Sequence, residues 1–169
     1  MNGNTWRIVF VAMLIAAAAM AAPREDIYWS EARGKGGELA YRERHTATFE
    51  GERILHSLTE YLSPEGELIA TMESDYSLSV AMPTYLFEDL VRGSREGLRR
   101  EGDDYVIFRQ EPGKEEETKV LRETDSVFSC QGWHYFLVEN LDLLAQSNLK
   151  LDLILPSELK AYTFQVEQV

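Results

Sequence analysis

From Leu39 to Tyr76, apolar or β-branched residues alternate with polar and charged ones, in three runs parted by two turn signals. A period of two places successive side chains on opposite faces of a sheet, so the stretch reads as strand–turn–strand–turn–strand. Thr46, Thr48, Ile54, Thr59, Tyr61, Ile69, Thr71 and Tyr76 supply the β-branched and aromatic bodies that suit a half-buried pleated surface. Ser63-Pro64-Glu65-Gly66 is the stronger turn: Pro presets φ, the Ser hydroxyl bonds the turn backbone, and Gly accepts a positive φ. Glu50-Gly51 is the weaker one, because Asn or Asp usually precedes Gly in a two-residue loop. Between them Arg53–Leu62 is expected to hold strands on both sides.

Further along, Tyr85, Phe87 and Val91 fit the same period, while Phe87, Leu90, Val91 and Leu98 also recur at helical spacing. Gly93 and Gly97 would each cost about 1 kcal/mol inside a helix, so residues 84–100 are read as strands. Tyr105–Gln110, the turn Glu111-Pro112-Gly113-Lys114 and Thr118–Arg122 form a third hairpin, with Glu115, Glu116 and Glu117 solvated at its tip. The pattern then changes. Trp133, Phe136, Leu137, Asn140, Leu141 and Leu144 form one apolar stripe of 3.6 period and predict a helix over Gly132–Gln146. Leu149–Leu155 alternates again, Pro156-Ser157 turns, and Tyr162, Phe164 and Val166 mark a last strand. The expected fold is mainly β (α+β): a curved antiparallel meander or half-barrel, with one amphipathic helix packed in its concave face.

The first 21 residues do not belong to that pattern. Arg7, the apolar run Ile8 to Ala19 and Ala19-Met20-Ala21 have the order of a secretory signal peptide cut after Ala21. The run is short of the roughly 20 residues that span a bilayer. Residues 22–37, Gly-rich and polar around Tyr28 and Trp29, read as a flexible leader, and 38–169 as one β-rich domain. The chain stops inside a strand pattern, so this strand either closes the sheet or the sequence is truncated. An exported, periplasmic or secreted protein without a further transmembrane segment is expected. Loss of Arg7 with the signal takes the formal charge from −12 to −13. Such an acidic balance disfavours nucleic acid and anionic lipid surfaces, both of which are gripped by Lys and Arg.

The chemistry-bearing residues are sparse. Cys130 is the sole cysteine, so no internal disulfide forms, and burial is its commonest fate. His134 follows it by four residues, but no third group orients that pair for nucleophilic work. A two-residue loop at Glu50-Gly51 would set His45 opposite His56, as two imidazole ligands for zinc beside Glu43 or Glu60; the ordinary alternative is a pair of surface histidines. Glu43, Asp75, Asp89 and Glu96 lie among apolar residues, without a spacing that makes any two an acid–base couple. Arg92, Arg95, Arg99 and Arg100 are the one basic cluster, either balancing nearby carboxylates or gripping an anionic head. No nucleophile elbow, phosphate loop or metalloprotease helix is present, and no cofactor is expected.

Tyr61-x2-Pro64-x-Gly66-x3-Ala70, Asp89-x2-Arg92-Gly93-x2-Glu96-Gly97, and Phe136-x3-Asn140-x3-Leu144 followed by Leu155-Pro156-Ser157 resemble exported bacterial β-rich proteins of uncharacterised function. The likeness runs from Leu39 to the end and rests on turn and packing residues. The outline is also similar to the half-barrels that carry lipoproteins across the periplasm. A curved sheet with one amphipathic helix, many aromatics and no catalytic signature points to a non-catalytic carrier of an apolar or amphipathic ligand such as a lipid. Trp133, Phe136 and Leu137 would form its helix wall, Asn140 would be a polar group on that wall, and Arg92 with Arg95 would stand at the mouth. An envelope module that recruits a protein partner through an open sheet edge is the second expectation, and a hydrolase the third.

Overall fold

The computed structural model describes residues 22–121, 127–129, 131–133, 135 and 149–166. Eight strands follow one another as an antiparallel meander, each paired with the next in the chain. They are β1 (Arg24–Arg33), β2 (Leu39–Glu50), β3 (Arg53–Leu62), β4 (Leu68–Asp75), β5 (Thr84–Asp89), β6 (Ser94–Glu101), β7 (Asp104–Gln110) and β8 (Glu117–Leu121). Among the described residues β1 and β8 do not pair, so the sheet is open. A second sheet joins β9 (Val127–Ser129), β10 (Leu149–Leu155) and β11 (Lys160–Val166) in the order β11-β10-β9, with β9 parallel to β10. The fold is mainly β, as the alternation predicts.

The local devices anticipated at the turns are present. Gly66 has φ 92° and donates its N–H to the Ser63 carbonyl at 2.9 Å, while the Ser63 hydroxyl accepts from the N–H groups of Glu65 and Glu67. Residues 84–100 form the β5–β6 hairpin, whose turn is held by Asp89 Oδ1 accepting from the N–H groups of Val91 and Arg92. Gly113 ends the β7–β8 turn with φ 69°. The Pro156-Ser157 turn is a single 3-10 turn, Pro156–Glu158, leading into the β10–β11 pairing.

Three sequence expectations are corrected. Residues 24–33 are not a loose leader but β1, paired along its length with β2. An edge strand can stay polar, because one side of its backbone faces water and charged cross-strand contacts replace apolar ones; here Glu31 lies 3.6 Å from Arg42 and Arg24 stands over the Phe49 ring. The Gly-rich run that suggested flexibility makes the β1–β2 turn, with Gly37 N–H on the Gly34 carbonyl. Next, the first hairpin turns at Gly51-Glu52, since Glu50 pairs with Arg53, and a bulge between Thr48 and Phe49 shifts the register again. His45 therefore faces Thr59 and His56 faces Thr48. Odd and even positions point oppositely, so the two histidines occupy opposite faces and make no common metal site. Glu116 is the third case: half-buried at the β8 end, it accepts from Arg99 at 2.7 Å.

The core lies on one face of the meander. Tyr85, Leu98, Tyr105 and Ile107 from β5 to β7 pack with Met82 and with Ile154 of β10, so the two sheets share a core. Burying side chains such as Leu98, Ile107 and Ile154 stabilises the fold by about 1.5–3 kcal/mol each. Ala47, Ile54 and Tyr76 form a second cluster toward the β2–β3 turn, and Tyr135 packs against it. Residues 131–133 and 135 are helical. Gln131 donates to Met72 Sδ and the Tyr135 ring meets Tyr76 edge-on at 5.1 Å, which sets the helix start on this same covered face. Phe136, Leu137 and Asn140, with the rest of the stripe, lie outside the described residues.

Candidate binding face

The covered face of β1 to β5 carries two adjoining concavities. Register decides which side chains enter them: Tyr28 pairs with His45, Ser30 with Glu43, His45 with Thr59 and Glu43 with Tyr61. Directly opposed residues project to the same side, so these six share one face.

In the first concavity, Glu43 Oε2 accepts from Ser30 Oγ at 2.6 Å and lies 2.9 Å from His45 Nε2. His45 Nδ1 is 3.0 Å from the Thr59 hydroxyl. The pattern is met when Nε2 carries the proton toward Glu43 and Nδ1 accepts from Thr59. Tyr28 stacks on the imidazole, centroids 4.5 Å apart and planes 11° from parallel. Ser57, Tyr61, Met72, Tyr76, Gln131 and Tyr135 complete the lining. Burial raises the Tyr61 phenol above its usual range, and the neighbouring Glu43 and Tyr41 add to the shift. Burial likewise raises Tyr135, assisted by the charge of Tyr28 and by a hydroxyl bond to it. Tyr76 is raised by burial against the opposing pull of the Ser57 and Ser74 hydroxyls. Those hydroxyls miss hydrogen-bond geometry, and Tyr76 Oη and Ser74 Oγ are buried without a formed partner.

These groups do not constitute an acyl-transfer triad. Ser30 Oγ is 3.2 Å from His45 Nε2, but its proton is held by Glu43, and a hydroxyl instead of a carboxylate sits on the far nitrogen.

The second concavity is more apolar. Tyr41, Tyr61 and Phe87 form an edge-to-face ladder across β2, β3 and β5, each step 5.8 Å between centroids. Ile69, Ala70, Asp89, Val91 and Arg92 complete a groove of about 410 Å³. Val91 is 74% exposed at its rim. The Arg92 side chain is 82% exposed, 3.7 Å from Asp89. Tyr61 lines both concavities.

The remaining sequence candidates scatter. Arg92 lines the second concavity, but Arg95 does not join it: it projects from the other face, bonded to Gln110 at 2.7 Å and near Glu116. Arg92 belongs to the turn before β6, whereas Arg95 pairs with Glu88 and so shares its face of β5, opposite to that of Phe87. Arg99 stacks over Phe108 and pairs with Glu101 and Glu116, while Arg100 covers Tyr105, so both are locally balanced. His56 is 3.0 Å from Glu73 on that outer face. Trp133 is half-buried, packs edge-on to Phe128 and lines neither concavity. Cys130 and His134 lie outside the described residues. The sequence pattern marks Thr59, Tyr61 and Phe87 as strand residues and singles out neither Tyr41 nor Ser30; only Glu43-x-His45, at the spacing of one strand face, is a usable signal.

Comparison with known protein families, with curated proteins and with solved structures finds no match.

Proposed function

We propose that this chain is an exported, non-catalytic binding protein for an amphipathic ligand. The observation that carries the reading is the aromatic ladder Tyr41–Tyr61–Phe87 lining an apolar groove whose rim holds a solvent-facing guanidinium. Such a groove suits an alkyl chain laid across ring edges, with a carboxylate or phosphate head at Arg92. The exposed Val91 extends its apolar rim. The signal-like first 21 residues support export. Isothermal titration with laurate, beside native mass spectrometry of detergent-free protein, tests the reading. Saturable binding that falls at least tenfold in Phe87→Ala and in Arg92→Glu is the expected result. Absence of both laurate binding and copurified amphiphile overturns it.

A second reading, an envelope module that recruits a partner, is favoured by β1. It is an edge strand of ten residues with Ile27 and Trp29 exposed at 63% and 57%. Unpaired backbone groups beside exposed apolar side chains suit strand addition. Crosslinking through a benzophenone placed at Trp29 in whole cells reads this out. Capture of a discrete envelope protein supports the module; a monomer with no adduct counts against it.

A further inference from the structure

We propose that the concavity around Glu43 is a binding site for a small organic ammonium ion, adjoining the amphiphile groove at Tyr61 and independent of that reading. Charge is the first argument. Among the described residues lining it there is a carboxylate, Glu43, and neither Lys nor Arg. An anion would meet repulsion with no compensating donor of full charge.

The second argument is the aromatic wall. Tyr28, Tyr61, Tyr76 and Tyr135 all line the cavity. Neutral phenol rings present negative faces, which attract a desolvated cation by their quadrupoles. Their oxygens also accept hydrogen bonds.

The third argument is unspent hydrogen-bonding capacity. Ser30 and His45 both engage Glu43 Oε2, and Oε1 takes no part in those bonds. In the lining, Tyr76 Oη is buried without a formed partner, as is Ser74 Oγ on the same face of the sheet. Buried polar atoms are normally satisfied, so each unsatisfied one calls for a reason. A primary ammonium carries three donors and no acceptor, which matches a carboxylate oxygen together with phenol oxygens. Ser30, His45 and Thr59 then act as positioning residues that hold Glu43 toward the cavity.

The test uses the whole chain and three probes of one shape: n-butylammonium, n-butanol and butyrate, each titrated by calorimetry at fixed ionic strength. Saturable binding of n-butylammonium, at least tenfold tighter than n-butanol and absent for butyrate, is the expected pattern. Folded Glu43→Gln is expected to lose at least tenfold in ammonium affinity, while Glu73→Gln, on the outer face, leaves it unchanged. Phe87→Ala is expected to weaken laurate and spare n-butylammonium, which separates this site from the groove. The proposal is overturned by equal binding of butanol and butylammonium, by no saturable ammonium binding, or by an unchanged affinity in folded Glu43→Gln. If Glu43→Gln does not fold, the three-probe comparison on the native sequence decides.

Discussion

Gly97 in β6 is the sharpest mechanical test of the meander. Its backbone is not left-handed, so its freedom of φ is not what the position uses. A Cβ built there would lie 2.1 Å from the Tyr85 carbonyl oxygen and 3.0 Å from the Phe108 ring. A carbon and an oxygen normally stay above about 3 Å, so β5 and β6 would have to part locally by roughly 1 Å. Forcing a methyl into packed structure costs about 1–3 kcal/mol, and weakening one ladder hydrogen bond adds about 1. The reduced freedom of the unfolded chain returns about 0.4–1 kcal/mol. Gly97→Ala should therefore destabilise by about 2–3 kcal/mol. For a chain of this size that is a fall in Tm of roughly 5–10 °C. Urea titration followed by far-UV circular dichroism measures it as a lower midpoint at unchanged slope. Adding Phe108→Leu should recover little, because the nearer obstacle is backbone and does not repack. A Gly97→Ala midpoint equivalent to within about 0.5 kcal/mol of the parent would refute the close strand approach argued here.

Gly132→Ala probes how the helix start is seated, since its Cβ would fall within 1.9 Å of the Ala81 carbonyl oxygen; a drop in Tm and loss of near-UV ellipticity are expected. Glu96 is pushed above its usual pKa by burial, with Arg109 opposing and Glu111 adding. Its contribution is fully present below the unfolded value near 4.5 and lost as pH rises through the higher folded value. Glu96→Gln should thus melt higher than the parent at pH 7 and converge with it near pH 4. Asp75 has the opposite sign: the Ser77 hydroxyl and N–H lower its carboxyl below 3.8, so it stabilises above that pH and ceases to as pH falls through the folded value. A thermal-melt series from pH 5 to 2 should therefore show a shallower decline in Asp75→Asn.

How far the sequence carries the fold depends on what each strand must hide. β3, β5 and β7 have covered faces, and there the alternation and the turn residues suffice; Arg53–Leu62 is a strand with the bounds read from its pattern. β7 buries Tyr105 to Phe108 on both faces, because Ile107 enters the core while Phe108 lies beneath Arg99. A short apolar run is ambiguous in sequence, and the flanking turn arbitrates. β1 escapes notice for the opposite reason. Its stability comes from backbone pairing and cross-strand charges, and neither leaves an apolar period behind. The helix start is legible only in its type. Its seat depends on Gly132 approaching the backbone of Val80 and Ala81, a contact no periodicity announces.

The candidate binding face is illegible in sequence for a narrower reason, which is register. A turn and a bulge decide it. A loop of Gly51-Glu52 in place of Glu50-Gly51 displaces the pairing, and the bulge after Thr48 displaces it once more. Their combined effect brings Thr59 opposite His45 where His56 had been expected. Moving the loop by one residue shifts the pairing by two positions and keeps each residue's face, whereas the one-residue bulge inverts the face that every side chain beyond it joins. The two shifts therefore replace a two-histidine metal arrangement with a His–Glu–Thr–Ser network beside a tyrosine wall. Glu43-x-His45 survives any register, because both residues belong to one strand and share its face. Everything that gives the pair its chemistry (Tyr28 on the ring, Thr59 on Nδ1, Ser30 on the carboxylate) arrives from β1 and β3. A site assembled across strands from ordinary polar residues has no linear motif. What it does have is a set of same-face neighbours that follows directly once the turn and the bulge are placed.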